Sequence, residues 1–147
     1  MMVLARRLGI FFTTVFTVMV LSLGMASVAS AQSADQLLAS PKVDDIYAAQ
    51  LDVFSESDFG DPDPDWGLMR VIRVTSKEIV VVTADVARYK AREALSDLKN
   101  TSYVLDLGWD FGEKITIQRA DLAEHKEQGD ILDARRLSAS EIRRLQN

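Results

Sequence analysis

The sequence predicts an α+β domain that is built on a small antiparallel sheet and follows an export leader that is cleaved. Three observations indicate this: an uncharged apolar run near the N-terminus, short β-branched segments separated by polar turns, and helical periodicity in a few stretches. Strands joined by short turns pair in antiparallel fashion, and helices then cover the sheet. We therefore expect two or three helices packed on it.

Residues 1–31 have the pattern of a secretory signal peptide. Arg6 and Arg7 form a basic start, residues 8–23 are uncharged and mostly apolar, and small residues follow up to Ala31. These are the features that the translocase and the signal peptidase recognise. The uncharged run is also long enough for a retained membrane anchor, but its last third is small and weakly polar. We expect cleavage after Ala31, export by the general secretory route to the periplasm, with the extracellular space as the alternative, and no stable membrane anchor afterwards.

Charge and composition restrict what the mature chain binds. Loss of Arg6 and Arg7 leaves 15 basic residues against 22 acidic ones, which gives the mature chain a formal charge of −7. An acidic protein is a poor ligand for nucleic acid and for anionic lipid, whereas a basic partner suits it. The 116 residues that follow the leader suffice for one domain, and the absence of Cys excludes disulfides.

The first half of the mature chain contains the clearest strands. Residues 32–42 are predicted to be a flexible tether or a short frayed helix, and the single domain then spans residues 43–147. Part of 43–54 is expected to form a strand, and the acidic segment 55–65, which contains one Gly and two Pro, a loop. Two β-branched strands follow, at 66–74 and 79–83, with the spacing of a hairpin.

Apolar residues on both faces of the 66–74 strand indicate that the hairpin is central and covered on both sides. Regular alternation places Leu68, Ile72 and Val74 on one face, and Met69 and Val71 on the other.

The second half of the mature chain alternates between the apolar periodicity of a helix and that of a strand. Residues 85–98 approximate a helical stripe. Residues 103–107 and 115–118 are predicted as strands, joined by the turn at 108–112.

Capping signals define the last elements. Asp121 and Glu124 have the spacing of a capping box, and Gly129 is a typical helix stop. A strand is expected at 131–137, and then a closing helix that begins at Ser138.

The predicted order is β, ββ, α, ββ, short α, β, α. Short strands followed by a one-turn helix and another strand resemble a small SH3-like open barrel with insertions, which is the alternative to a simple antiparallel sheet. The resemblance is one of architecture, and no motif of a known family accompanies it.

The inventory of reactive side chains argues against nucleophilic catalysis. The chain has no Cys, its single His125 lies among charged residues on a short predicted helix, and no Ser has the G-x-S-x-G context. One His without Cys also makes a poor zinc centre. We expect no cofactor and no enzymatic activity.

The acidic loop is the first candidate contact surface. Asp61, Asp63 and Asp65 alternate before Trp66, and aromatic residues within acidic surroundings suit docking to a basic or amphipathic protein. The alternating carboxylates also resemble the start of a Ca²⁺ loop, although Trp66 occupies the glycine position and the final Glu is absent. We expect a solvated acidic loop, with Ca²⁺ binding as the lesser alternative.

The glycine-flanked turn is the second candidate, through Trp109 and Phe111. For Trp66 and Trp109 alike, the competing interpretation is that the ring closes one end of the hydrophobic core. The sequence thus favours a non-enzymatic protein that binds another macromolecule, such as an inhibitor, an immunity protein or an envelope accessory protein. A carboxylate-based hydrolase or binder of envelope polysaccharide is the alternative, with its acids drawn from Asp106, Asp110 and Glu113.

Overall fold

The computed structural model describes residues 31–60 and 64–147, and its compact unit spans Ala31–Asn147. The predicted leader up to Ser30, together with Asp61 and Asp63, lies outside the described residues. Five antiparallel strands form one sheet in the order β4-β3-β2-β1-β5. The strands are β1 (Asp45–Gln50), β2 (Trp66–Val74), β3 (Glu78–Thr83), β4 (Ile115–Gln118) and β5 (Ile131–Arg136).

The antiparallel α+β prediction is confirmed, whereas the barrel alternative is not. In the described part of the chain β4 and β5 are the two edges of the sheet and do not pair with each other, so the sheet is open. Helices are more numerous than the two or three predicted. The described residues include α1 (Ala34–Ala39), α2 (Ala91–Lys99), α3 (Thr101–Asp106), α4 (Leu122–Gln128) and α5 (Ala139–Leu145), together with 3-10 turns at Leu51–Val53 and Arg119–Asp121.

Helices cover both faces of the sheet and create two separate hydrophobic cores. Leu37 and Leu38 of α1 and Leu122 of α4 pack in the first core, against Tyr47, Met69, Val71, Ile79 and Val81 of the strands. On the opposite face α2, α3 and α5 form the second core, which includes Leu98, Val104 and Ile142 around Ile46, Ala48 and Leu68. The interior is therefore a sheet buried between two helical layers. No helix within the described ranges is long and apolar enough to cross a membrane.

The central hairpin is confirmed, but one residue of β2 was assigned to the wrong face. Val71 lies opposite Val81, while Arg73 lies opposite Val80, so Ile72 is an extra residue in a β-bulge. A bulge shifts the alternation by one residue, and Val74 therefore packs in the first core with Met69 and Val71.

The segment predicted as a tether contains a helix that belongs to the core. Ser33 and Gln36 form a capping box at the start of α1, and Leu37 and Leu38 are buried. Residues 34–39 are thus fixed on the sheet by the two leucines, which is the short-helix alternative.

The predicted strand at 103–107 is wrong, because this segment forms α3. The Asn100 side chain accepts a hydrogen bond from the Tyr103 N–H at 3.1 Å and caps the helix. The cap offers the first turn a partner that an extended segment lacks. A short apolar run is compatible with either period, and here the packing of Val104 in the second core decides it.

Two other predicted helix boundaries are wrong, at residues 85–90 and at Asp121, and two are confirmed, at Gly129 and Ser138. Of the helix expected at 85–98, only residues 91–98 are helical, as part of α2; the preceding segment pairs with Trp66 through an isolated bridge at Arg88. The Asp121 capping box is wrong, because Asp121 continues a 3-10 turn in helical conformation and its side chain makes no cap. The Gly129 stop (φ 84°) and the Ser138 capping box are confirmed.

Candidate functional site

A cleft of about 430 Å³ opens where two loops meet beyond the end of β3. We name it the acidic cleft, and its lining residues are Ser57, Asp58, Phe59, Asp85, Trp109 and Asp110. One wall comes from the acidic loop and the other from the 108–112 turn. Parts of the two segments that the sequence offered as separate candidates, residues 57–59 of the acidic loop and residues 109–110 of the turn, therefore line one cleft.

The wall formed by the 108–112 turn is fixed to the sheet by its backbone. Trp109 forms an antiparallel bridge with Ala84, and the Asp110 N–H donates to the Thr83 carbonyl at 2.9 Å. The Asp110 carboxylate accepts from the Gly112 N–H at 2.8 Å, which stabilises the turn. The backbone of this wall is therefore held in place by hydrogen bonds to the end of β3.

Close packing of the backbone at Gly108 brings Asp85 to this wall. The Asp85 N–H donates to the Gly108 carbonyl at 3.2 Å. A Cβ atom at Gly108 would lie 2.2 Å from an Asp85 carboxylate oxygen, far inside van der Waals contact. Glycine is thus the residue that lets the Asp85 carboxylate occupy its place in the cleft.

The acidic-loop wall is held by a carboxylate from the opposite side. The Ser55 hydroxyl, the Ser57 hydroxyl (2.8 Å) and the Glu56 N–H (2.8 Å) all donate to Glu113, which follows the 108–112 turn. Burial by itself raises the pKa of Glu113, but the hydrogen bonds from these donors outweigh it and lower the pKa below its ordinary value. Glu113 is therefore an ionised acceptor that joins the two walls.

The acidic cleft carries negative charge without a cation. Its lining contains Asp58, Asp85 and Asp110 and no Lys or Arg. Within the described residues none of these three carboxylates takes part in a salt bridge, whereas several other acids of the domain do. The half-buried rings of Phe59 and Trp109 add apolar surface beside them. Carboxylates and aromatic faces together are the groups that attract an ammonium or a guanidinium.

Two of the aromatic residues predicted as contacts are largely committed to the core. Trp66 begins β2 and, like Trp109, packs against the second core, as the competing interpretation expected. The Trp109 Nε1 atom is buried and has no hydrogen-bond partner among the described residues. Phe111, by contrast, is 54% exposed and follows Asp110 directly in the chain, but it is not among the residues that line the acidic cleft.

Of the three alternating acids of the loop, Asp61, Asp63 and Asp65, the structure describes only Asp65. Asp61 and Asp63 lie outside the described residues. Asp65 is only 8% exposed, and its backbone is held between Leu51 and Asp52 by hydrogen bonds of 2.7 and 3.2 Å. Asp65 thus belongs to the base of the loop. Across the described part of the chain, no group of three or more acidic or His side chains could hold a metal ion.

The acids of the hydrolase alternative do not converge on one centre. Asp110 lines the acidic cleft, Glu113 is engaged by three donors, and Asp106 is an exposed residue at the end of α3. A general acid requires a raised pKa, and the lowered pKa of Glu113 has the opposite sign. The geometry therefore gives Glu113 the role of a tie between loops.

Sequence reasoning missed Asp58 and Asp85 as site residues. Asp58 is one of five acids in its loop, and nothing in the local pattern distinguishes it from the others. Asp85 was placed in a helix, although its position just after a buried strand is a typical location for a site residue. His125, expected to be solvated, is partly buried: its Nδ1 lies 2.9 Å from Asp130, and Phe54 packs edge-on to its ring at 4.8 Å.

No family model matches this chain, and no curated protein or solved structure is significantly similar to it.

Proposed function

We propose that this protein is exported and that it binds a basic segment of another protein in the acidic cleft, without catalysing a reaction. The observation that carries the proposal is the group Asp58, Asp85 and Asp110, which line one cavity with aromatic rings and without a cation. Surface carboxylates that form no salt bridge within the described residues are available to a cationic partner, because binding them breaks no internal salt bridge.

The dimensions of the acidic cleft fit a side chain of the partner. A volume of about 430 Å³ lies at the small end of ligand pockets and accommodates one or two long side chains. A guanidinium or ammonium there gains charge-assisted hydrogen bonds, each worth about 1.5–3 kcal/mol, and a cation–π contact of about 0.5–2 kcal/mol.

Exposed apolar residues that follow two of the cleft acids in the chain support a protein partner. Val86 is 43% exposed and follows Asp85, while the 54% exposed Phe111 follows Asp110. A stable interface buries about 800 Å² on each side, more than a single pocket supplies. Val86 and Phe111 therefore provide apolar area in addition to the charged centre, as a basic, amphipathic segment requires.

The leader is proposed to be cleaved after Ala31, at the start of the compact unit. The unit begins at Ala31, the residue after which cleavage is predicted. Gln32 accepts a hydrogen bond from Arg136 at 2.9 Å, so the folded domain needs no residue before Gln32 for this contact. Expression of the full chain in a bacterial host, followed by mass analysis of the periplasmic fraction, should yield a protein that begins at Gln32. Recovery of the uncut chain in the membrane fraction would contradict this part of the proposal.

The binding proposal is tested with a peptide in which arginine and leucine alternate. We expect the mature protein to bind it, and the affinity to fall as salt is raised. Asp85→Asn and Asp110→Asn should each weaken binding by about tenfold, the loss of one charge-assisted hydrogen bond. Asp121→Asn, which removes the same charge at an exposed site outside the acidic cleft, is the matched control.

Equal losses in Asp85→Asn and Asp121→Asn would show that only net charge attracts the peptide and would refute the assignment of the site. Turnover of a polysaccharide that Asp110→Asn abolishes would favour the hydrolase instead.

A further inference from the structure

We propose that Glu113 is the positioning residue of the acidic cleft: its carboxylate holds residues 55–58 at the distance from Trp109 and Asp110 that a ligand requires. The inference rests on the proposed function for its ligand, but its structural part is independent of it. Glu113 does not line the acidic cleft itself. Its effect on binding would therefore act through the loop.

The acidic loop has few other polar attachments. The backbone N–H groups of Phe54 and Ser55 donate to the Leu51 carbonyl and close the preceding turn. The Ser55 hydroxyl donates to Glu113. Among the described residues, the hydrogen bonds that join residues 56–60 to another part of the chain also end on Glu113. The remaining bonds, Ser57 N–H to the Ser55 hydroxyl and Gly60 N–H to Asp58, are internal to the loop.

Apolar contact alone does not replace this attachment. Phe59 packs against the first core and gives the loop an apolar anchor. Phe59 comes directly after residues 55–58, so its contact fixes only the end of this segment. The position of Ser57 and Asp58 therefore also depends on Glu113. Loop segments with few contacts open at low free-energy cost, and a single carboxylate with three donors is then sufficient to set their position.

The chemistry of the tie is suited to a permanent role. All three donors are neutral groups, and an ionised carboxylate accepts from each without a competing cation. The two serines also separate by location: Ser57 lines the acidic cleft, whereas Ser55 is buried outside its lining. Ser55→Ala therefore removes one donor of the tie, together with the hydrogen bond from the Ser57 N–H to the Ser55 hydroxyl, and replaces no residue that lines the cleft.

The test measures structure and binding separately in Glu113→Gln, Ser55→Ala and the double variant. Amide hydrogen exchange at Glu56 reports the tie directly, since this N–H donates to Glu113. We expect faster exchange at Glu56 in both single variants, and a loss of affinity for the arginine–leucine peptide of about tenfold in Glu113→Gln. The double variant should lose less than the sum of the two single losses, because both changes break the hydrogen bond between Ser55 and Glu113. Glu124→Gln, which removes the same charge from α4, should leave exchange and affinity unchanged.

Each result decides one claim. Unchanged exchange at Glu56 in Glu113→Gln would overturn the tie, and faster exchange with unchanged affinity would overturn its role in positioning. Additive losses in the double variant would also overturn it, since they would mean two separate contributions. If the wild-type protein binds no peptide, the proposed function fails, and exchange at Glu56 still decides whether Glu113 holds the loop. Urea unfolding of each variant identifies any that has lost its fold.

Discussion

Two acidic regions of this domain differ in whether their carboxylates form salt bridges with arginine. At the start of β1, Asp44 and Asp45 are almost fully buried, and each is paired with an arginine: Arg70 lies 2.7 Å from Asp44, and Arg136 lies 2.8 Å from Asp45. We name this region the paired corner. Arg136 also donates to the Ser40 carbonyl and joins α1 to the edge strand β5.

The acidic cleft has the opposite arrangement. Its three carboxylates, on Asp58, Asp85 and Asp110, form no salt bridge with an arginine or lysine within the described residues. Asp58 and Asp85 are exposed. A buried carboxylate must be paired because desolvation is costly, whereas a carboxylate at the surface keeps its water and stays available. The difference teaches that acidic residues in this chain have two kinds of environment: the paired corner serves stability, and the acidic cleft, in the function proposed above, serves recognition.

The largest predicted effect comes from breaking the paired corner. Arg136→Ala should lower the free energy of unfolding by about 3–5 kcal/mol, because it leaves the fully buried Asp45 without its counter-charge. Urea unfolding measures the change. Arg143→Ala, which removes an exposed arginine from α5, should change the stability by less than about 0.5 kcal/mol. Similar values for the two variants would remove the distinction between paired and unpaired acids.

The next effect is a pH dependence of the contact between Glu113 and the acidic loop. Because the pKa of Glu113 is lowered in the folded protein, its contribution to stability is complete at and above neutral pH. It is lost as the pH falls below about 4.5 and through the lower folded pKa, where the protonated carboxyl no longer accepts from all three donors.

Amide exchange at Glu56, corrected for the intrinsic pH dependence, should therefore increase in that acidic window before global unfolding. In Glu113→Gln this pH-dependent step should be absent. A step of equal size in the variant would assign it to another group.

A smaller effect on stability is predicted at the close contact between Gly108 and Asp85. In Gly108→Ala the new methyl group collides with the end of the Asp85 side chain, which can rotate away. We expect a stability loss of about 1 kcal/mol or less, accompanied by a clear loss of peptide affinity. A large stability loss with normal binding would show that Asp85 is a structural residue like Asp45.

The smallest predicted stability effect is in the acidic cleft itself. Asp85→Asn and Asp110→Asn should each change the free energy of unfolding by no more than about 0.5 kcal/mol, since neither carboxylate has a counter-charge to lose. Thermal unfolding at low and moderate salt measures this. Strong destabilisation by either variant would place that acid with the paired corner.

Much of the fold was predictable from local patterns, and the errors have physical causes. Strands β2 and β3 were located because β-branched residues and a polar turn define a hairpin within a short span. The α3 segment was misread because five apolar-rich residues fit either period, and its helix depends on Asn100 and on the second core. The face of Val74 depended on a bulge, which the alternation of side chains does not reveal.

The candidate site was predictable only in part. The sequence indicated an acidic loop and the Trp109 turn as separate surfaces, and it could not show that Glu113 bonds to Ser55 and Ser57, more than 50 residues away. The sequence also could not distinguish the acids that form a salt bridge with an arginine from those that do not. Asp44, Asp45 and Asp85 look alike in the printed sequence.

The sequence by itself determined the composition, the predicted leader, the hairpin and the helix caps at Ser138 and Gly129, because these depend on residues that are close along the chain. Tertiary structure decided the open strand order, the assignment of α1 to the core and the meeting of two loops in one acidic cleft. These features depend on contacts between residues far apart in the chain, and their strength is set by burial and by pairing of charge. Neither quantity exists until the chain has folded.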